Sequence, residues 1–159
     1  MKTLRRFHVP GADYFITGVT FRRRRILLDN LTWFFESWPF VELIAWVVHS
    51  EHFHVMLNVG NRSISDIMHA FKISYVHRRR ETFGLEKIWQ HRFWDHVIRD
   101  ENDFARHLDY IHFNPVHHDI CTDPFEYPFS SIWKWYDLGV YQRDWGCQES
   151  PDGEGEFGE

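Results

Sequence analysis

At 159 residues and 43% hydrophobic content, the chain is long enough for one domain with a sizeable core. No stretch approaches the ~18 apolar residues of a membrane span, and the start from Met1 to His8 lacks the apolar run of a signal peptide. The two cysteines, Cys121 and Cys147, form neither a disulfide framework nor a metal-type spacing, which fits a reducing, cytoplasmic compartment. The net charge of −5 argues against nucleic acid as a partner only until its distribution is considered. The last eleven residues carry five acids (Glu149, Asp152, Glu154, Glu156, Glu159) and no base, and outside them 18 acids face 18 bases. Within that neutral body the bases cluster at Arg5-Arg6, at Arg22 to Arg25 and at Arg78-Arg79-Arg80. Such clusters can make a local positive field, or can simply be solvated charge runs.

In chain order, residues 1–13 read as basic and irregular, with a turn at Pro10-Gly11. Tyr14 to Phe21 is rich in β-branched and aromatic residues and predicts a strand, followed by an exposed basic segment, Arg22 to Arg25. Leu27 to Trp38 predicts a short helix with Asp29 or Asn30 as N-cap and Pro39 as its stop. Val41 to Val48 and His52 to Val59 predict a hairpin turning at His49-Ser50-Glu51, and its apolar character suggests central strands covered on both faces. Ser63 opens a helix that ends near Arg80, before Gly84. Ile64, Ile67, Met68, Phe71 and Tyr75 form its core stripe, and Ser63 with Asp66 approximates a capping box. Ile88 to Ile98 predicts a strand. Asp100 predicts the N-cap of a helix from Glu101 to about Phe113, closed near Pro115. Residues 116–128 read as loop, a short helix runs from Ser130 or Ser131 to Asp137, and Val140 to Trp145 predicts an edge strand. The expected organisation is a single domain over residues 1–146 with an acidic, disordered tail over 147–159. The order β, short α, β, β, α, β, α predicts an α+β fold close to the ferredoxin-like pattern, an antiparallel sheet with packed helices and one extra C-terminal helix.

Two segments carry chemistry. His52 and His54 flank Phe53 in a predicted strand, where alternate residues share a face. Two imidazoles side by side can hold one metal ion, or can be ordinary polar positions on a half-buried strand. The helix from Asp100 supplies the complement. At about 100° per residue, with Phe104 at 0°, Leu108 falls at about 40° and Ile111 at about 340°, the core face. Asp103, His107, Tyr110 and Asn114 fall at about 260°, 300°, 240° and 280°, a polar stripe beside it. Tyr110 and Asn114 are i, i+4 and therefore neighbours. Asn114 could add an amide oxygen as third ligand and Tyr110 a phenol nucleophile; equally, they could be a half-exposed tyrosine and an asparagine that ends the helix.

His52-Phe53-His54 is an HUH motif (His, bulky hydrophobic, His). With Trp89-Gln-His-Arg-Phe-Trp-Asp95, Tyr110-Ile-His-Phe-Asn-Pro-Val116 and Ser130-Ser131-Ile-Trp133, the chain resembles the REP-associated tyrosine transposases, relatives of the single-tyrosine HUH transposases of bacterial insertion sequences. The resemblance runs from about Arg5 to Trp145. It implies a metal-dependent endonuclease and strand transferase acting on single-stranded DNA at repetitive extragenic palindromes, which fold into hairpins. It implies Tyr110 as the nucleophile that becomes linked to a 5′ end, and His52, His54 and Asn114 as ligands of Mg²⁺ or Mn²⁺. By themselves those ligands would also accept Zn²⁺ or other transition metals. Arg5, Arg6, Arg22, Arg23, Arg24, Arg25, Arg78, Arg79 and Arg80 would track phosphates, and His49, His91, His96, His107 and His112 could support the ligands from outside or transfer protons, or be simply structural. A nucleoid-associated location and a homodimer fit the same resemblance. Two departures are visible: only about a dozen residues separate Ile26 from Pro39 where the family usually has a longer helix, and His49-Ser50-Glu51 replaces the commoner Met-Pro-Asn turn. The competing expectations are a non-catalytic binder of palindromic DNA and an RNA-binding ferredoxin-like module using strand aromatics.

Overall fold

The computed structural model describes residues 8–147 and 157–158. Its strands are β1 (Asp13–Val19), β2 (Leu43–Val48), β3 (His52–Asn58) and β4 (Trp94–Val97). Its α-helices are α1 (Leu31–Glu36), α2 (Ile64–Phe83), α3 (Glu101–His117) and α4 (Ile132–Asp137), with 3-10 turns at Phe21–Arg23, Leu27–Asp29 and Pro124–Glu126. The four strands form one antiparallel sheet in the order β2-β3-β1-β4, the order the ferredoxin-like pattern requires.

β1 and β3 pair in register from Asp13 opposite Asn58 to Val19 opposite His52. Side chains alternate across this pair and divide the core in two. Tyr14, Ile16, Phe53, Val55 and Leu57 point to a core closed by Phe34, Trp38 and the α2 stripe Ile64, Ile67, Met68, Phe71 and Tyr75. Phe15, Ala45, Val47 and Met56 point to a second core closed by Leu108, Ile111, Phe125 and Ile132. The sheet is therefore covered on both faces, as the continuous apolar runs of β2 and β3 predict. Much of the aromatic surplus goes into the first core: Phe53 meets Phe34 at 5.1 Å, Phe71 at 5.5 Å and Trp89 at 5.8 Å. Gly18 lies opposite Phe53, and a Cβ there would sit 2.3 Å from the Phe53 ring.

The caps follow the sequence. Asn30 Oδ1 accepts from Trp33 N, Ser63 Oγ from Asp66 N, and Asp100 Oδ1 from Asp103 N. Asp103 Oδ2 accepts in return from Arg99 N at 2.9 Å, closing the first turn of α3 from both sides.

Several predicted boundaries are corrected. α3 does not close near Pro115 but runs to His117, with His118 N bonded to Asn114 O and Ile120 N to Pro115 O. Proline there removes only its own N–H, and it is buried with Asn114 against the sheet. The strand expected over Ile88 to Ile98 shrinks to Trp94–Val97. Gln90 N still bonds Val19 O, but four residues from Gln90 to Trp94 span two on β1, so 91–93 leave the ladder. Val140 to Trp145 forms turns, not an edge strand. The edge of β2 is occupied instead by 129–131, through Val48 N to Phe129 O and Ser131 N to Trp46 O. Within the expected tail only Cys147, Phe157 and Gly158 are described: Phe157 is buried against α3 and Gly158, at φ 77°, abuts Trp94. The tail's acids lie outside the described residues. Cys121 and Cys147 are both free thiols.

A directed hydrogen-bond chain ties α3, α4 and β2. Trp46 N–H donates to Ser131 Oγ, which donates to His112 Nε2 at 2.8 Å. His112 Nδ1–H donates to Tyr141 Oη at 3.0 Å, which donates to Asp109 Oδ1. The chain needs a neutral His112, and complete burial holds its pKa down to about 3.

Two outcomes follow. Gly18→Ala forces Phe53 to move and lowers stability by about 1–3 kcal/mol, read by urea unfolding. For His112 the neutral form is favoured in the native state, so its contribution is complete above the unfolded value of 6.5 and is lost as pH falls from there toward about 3. Urea unfolding of the metal-free protein at pH 7.5, 5.5 and 4.5 will show falling stability, and His112→Asn will flatten that slope.

Candidate functional site

The site forms where one end of β3 meets α3. Strand alternation sends Phe53 into the first core and turns His52 and His54 to the α3 face. Both are buried, at 2% and 0% exposure, with ring centroids 5.1 Å apart. On α3 the polar stripe is largely buried: Asp103, His107 and Asn114 are buried, and Tyr110 is half-buried. The unbroken helix through Pro115 keeps Tyr110 and Asn114 one turn apart on one face. Tyr110 packs edge-on against the His54 ring at 5.2 Å. Asn114 Oδ1 lies 2.6 Å from His49 Nε2, and the His49 ring stacks on His52 at 4.5 Å and 20°. The four residues named from the sequence, His52, His54, Tyr110 and Asn114, are thus brought together.

Hydrogen bonding selects the tautomer of both HUH histidines. Thr17, opposite His54 in the β1–β3 register, donates its one hydroxyl hydrogen to Phe157 O at 2.6 Å. It must therefore accept from His54 Nδ1–H at 2.8 Å, which leaves the lone pair on Nε2. His52 Nδ1 lies 3.1 Å from Glu51 Oε1. Burial acts to raise the Glu51 carboxyl, but the Ser50 hydroxyl and His52 outweigh it and hold it below the usual range, so it accepts from Nδ1–H. His52 also carries its lone pair on Nε2. Imidazoles anchored through Nδ1 in this way are the form metal-ligating histidines take. Two such nitrogens and an amide oxygen can hold a divalent ion and leave positions for phosphate oxygens and water.

His49 is buried too. Desolvation, then the neighbouring His52, lowers its pKa to about 4, against the opposing hydrogen bond to Asn114, so it is neutral near pH 7. His118 completes the group, 5.1 Å from His52 and 5.4 Å from His49. Phe157 lies face to face on Tyr110 at 3.7 Å and 10°. Thr17 and Phe157 escaped the sequence reading because register and tail docking place them there, and Thr17 carried a signal only as a polar residue inside an apolar strand; His118, the C-cap of α3, lies one turn after Asn114 and extends the same stripe.

A second group, His96, Asp103 and His107, has ligand atoms all within 4.8 Å and could also hold a metal ion. His96 Nε2 is 2.7 Å from Asp103 Oδ2 and His107 Nδ1 is 3.2 Å from Oδ1. Burial would raise the Asp103 carboxyl, but the His96 bond and the Arg99 N–H outweigh it and bring it to about 2. His112 stands apart in the α3–α4 chain described above, and His91 is exposed.

The basic runs divide. Thr20 N bonds Glu51 O, and both Ile26 N and Leu27 N bond Ser50 O, so the Arg22 to Arg25 loop is stitched to the turn that leads into His52. Arg22, Arg23 and Arg25 are exposed there, whereas Arg24 pairs with Glu86 at 2.6 Å. In the other run Arg79 is buried, pairing with Asp29 at 3.1 Å and covering the Phe83 ring at 4.0 Å; Arg78 pairs with Glu36, and Arg80 is exposed. Arg79 thus serves the fold and faces no solvent. Arg5 and Arg6 lie outside the described residues. Among the described residues no helix is long and apolar enough to cross a membrane.

Comparison with known proteins places this geometry. Residues 20–99, about half of the chain, match the family described as "Transposase IS200 like". A "REP-associated tyrosine transposase" from Escherichia coli (strain K12) is 34% identical over 156 residues, covering 91% of each chain. A relative from Haemophilus influenzae with a name of the same group is 31% identical over 92% of this chain and 94% of its own. A solved structure of a REP-associated tyrosine transposase bound to a REP hairpin superposes with a TM-score of 0.85 at 30% identity, covering 100% of this chain and 98% of that one. The chain belongs to the REP-associated tyrosine transposases, DNA-processing enzymes of the IS200-like transposase family.

Proposed function

We propose that this chain cuts and rejoins single-stranded DNA beside palindromic hairpin repeats through a covalent tyrosine intermediate. The observation that carries the reading is the convergence of Tyr110 on His54 at 5.2 Å with Asn114, one turn on, reaching the His49–His52 stack at 2.6 Å. In the proposed step the Tyr110 phenol oxygen attacks the scissile phosphorus. The new oxygen–phosphorus bond replaces the bond from phosphorus to the 3′ oxygen. The phenol gives up its proton, and the leaving 3′ oxygen gains one, becoming a free 3′-OH. The phosphotyrosine retains the energy of the broken bond, so the 3′-OH of another strand can reverse the step without a nucleotide triphosphate.

A phenol of pKa about 10 is a weak nucleophile at neutral pH. His52, His54 and Asn114 would hold Mg²⁺ or Mn²⁺, and such an ion, when bound, polarises the phosphate and stabilises its developing charge. The arginines serve binding in this reading. Arg22, Arg23 and Arg25 are exposed beside the turn that precedes His52, where they suit a phosphate backbone. Hairpin DNA as the partner is supported by the similarity to the hairpin-bound structure. Binding of palindromic DNA without cleavage is a second reading, favoured by the Phe157 ring lying on Tyr110.

A hairpin oligonucleotide labelled at its 3′ end, incubated with the protein and Mn²⁺, separates the readings. The label should travel with the protein on a denaturing gel, and Tyr110→Phe should reduce that adduct to background while still binding the hairpin. His52→Ala should likewise bind without cutting. A wild-type protein that binds the hairpin but yields no adduct supports the second reading instead. Replacing Arg22, Arg23 and Arg25 with alanine should weaken hairpin binding and reduce the slope of log affinity against log salt by up to about 0.9 per lost phosphate contact. Arg79→Ala should lower the melting temperature, through loss of its buried pairing, and leave that slope unchanged.

A further inference from the structure

The turn between β2 and β3 does more than reverse the chain. Its first residue, His49, is 2% exposed and clamped between two rings: His52 on one side at 4.5 Å and 20°, Tyr127 on the other at 5.3 Å and 30°. Tyr127 is itself anchored by donating to Val48 O at 2.7 Å. The clamp fixes the plane of the imidazole and aims Nε2 at Asn114 Oδ1, 2.6 Å away. An amide oxygen only accepts, so His49 Nε2–H is the donor, and the oxygen keeps a second lone pair. The last residue of the turn, Glu51, accepts from His52 Nδ1–H at 3.1 Å, and Ser50 Oγ donates to Glu51 Oε2 at 2.6 Å. The turn is locked in turn by Thr20 N to Glu51 O and Ile26 N to Ser50 O.

We infer that His49 and Glu51 are positioning residues for the proposed metal site, His49 holding the Asn114 oxygen and Glu51 holding the His52 ring. The inference rests on the reading of His52, His54 and Asn114 as ligands. It adds that two of the three are held in place by one turn of this chain. With Thr17 on His54, each proposed ligand has its own outer hydrogen bond. Outer-shell partners of this kind typically change metal affinity 10- to 100-fold.

The test is Mn²⁺ binding by the full chain without DNA, in a His96→Gln background that removes one ligand of the second group, followed by loss of the free-ion EPR signal. His49→Phe keeps a ring for the stack and removes the donor; His49→Gln keeps an N–H donor. Glu51→Ala removes the acceptor from a partly exposed turn position that the cores do not depend on. Mn²⁺ affinity should fall about 10- to 100-fold in His49→Phe and in Glu51→Ala. His49→Gln should recover most of the loss, and the metal-free melting temperature of Glu51→Ala should stay near wild type. Binding by Glu51→Ala and a folded His49 variant without the donor within about twofold of wild type would overturn the inference. So would nitrogen couplings from three imidazoles on bound Mn²⁺ that fall to two in His49→Phe, which would make His49 a ligand. A wild-type chain that takes up no Mn²⁺ would overturn the ligand reading itself, and this inference with it.

Discussion

The register between β1 and β3 is the constraint on which the rest of this molecule depends. It sets Gly18 opposite Phe53, so the ring of the HUH motif's central residue lies across a position with no side chain. It sets Thr17 opposite His54, and so selects the nitrogen that His54 presents to the site. A slip of one residue would send both histidines into the aromatic core and Phe53 onto α3. Register is held because both faces of the sheet are covered, so no slipped arrangement keeps the apolar set buried. The aromatic cluster around Phe53 and the polar site behind it are consequences of one pairing.

The site is polar but buried, and burial dictates its hydrogen bonding. An imidazole out of water is kept neutral, so each ring has one donor and one acceptor and its neighbours must match. The pattern recurs. Thr17 and Glu51 take the Nδ1 hydrogens of His54 and His52, His49 gives its Nε2 hydrogen to Asn114, and His112 passes hydrogen bonds from Ser131 to Tyr141. Direction in these chains makes the positions of lone pairs predictable, and lone pairs are what a cation would meet. At His49 and His112 the same neutrality makes the fold sensitive to acid, because the unfolded chain takes up protons that these two rings refuse.

Charge illustrates how fold and function divide similar residues. Arg22, Arg23 and Arg25 stand exposed beside the turn that leads into His52, whereas Arg79 is buried against Asp29 and Phe83. The difference is one of helical phase. Arg79 falls four residues after Tyr75 and eight after Phe71, on the apolar stripe of α2, while Arg80 is one step around the helix and exposed. A run of three arginines therefore contains a core residue, and counting charges along the chain overstates the basic surface.

Much of this was legible in the sequence by itself. Periodicity located α2 and its stripe from Ile64 to Tyr75, the order of elements predicted the sheet order, and strand alternation put His52 and His54 on one face. Helical phase paired Tyr110 with Asn114, and motif resemblance named the family. These are local properties, determined by spacing along one element. The tertiary structure alone decided the rest. Pro115 reads as a helix stop, yet burial carries α3 past it and so keeps Asn114 in line with Tyr110. Val140 to Trp145 reads as a strand, yet residues 129–131 occupy the edge it would have used. His118 lies one turn after Asn114, but Thr17, His49, Tyr127 and Phe157 reach the site from four separate stretches of chain, and no spacing relates them. Their roles depend on distances between elements, and those distances exist only once both cores have packed and fixed α3 and the turn against β3.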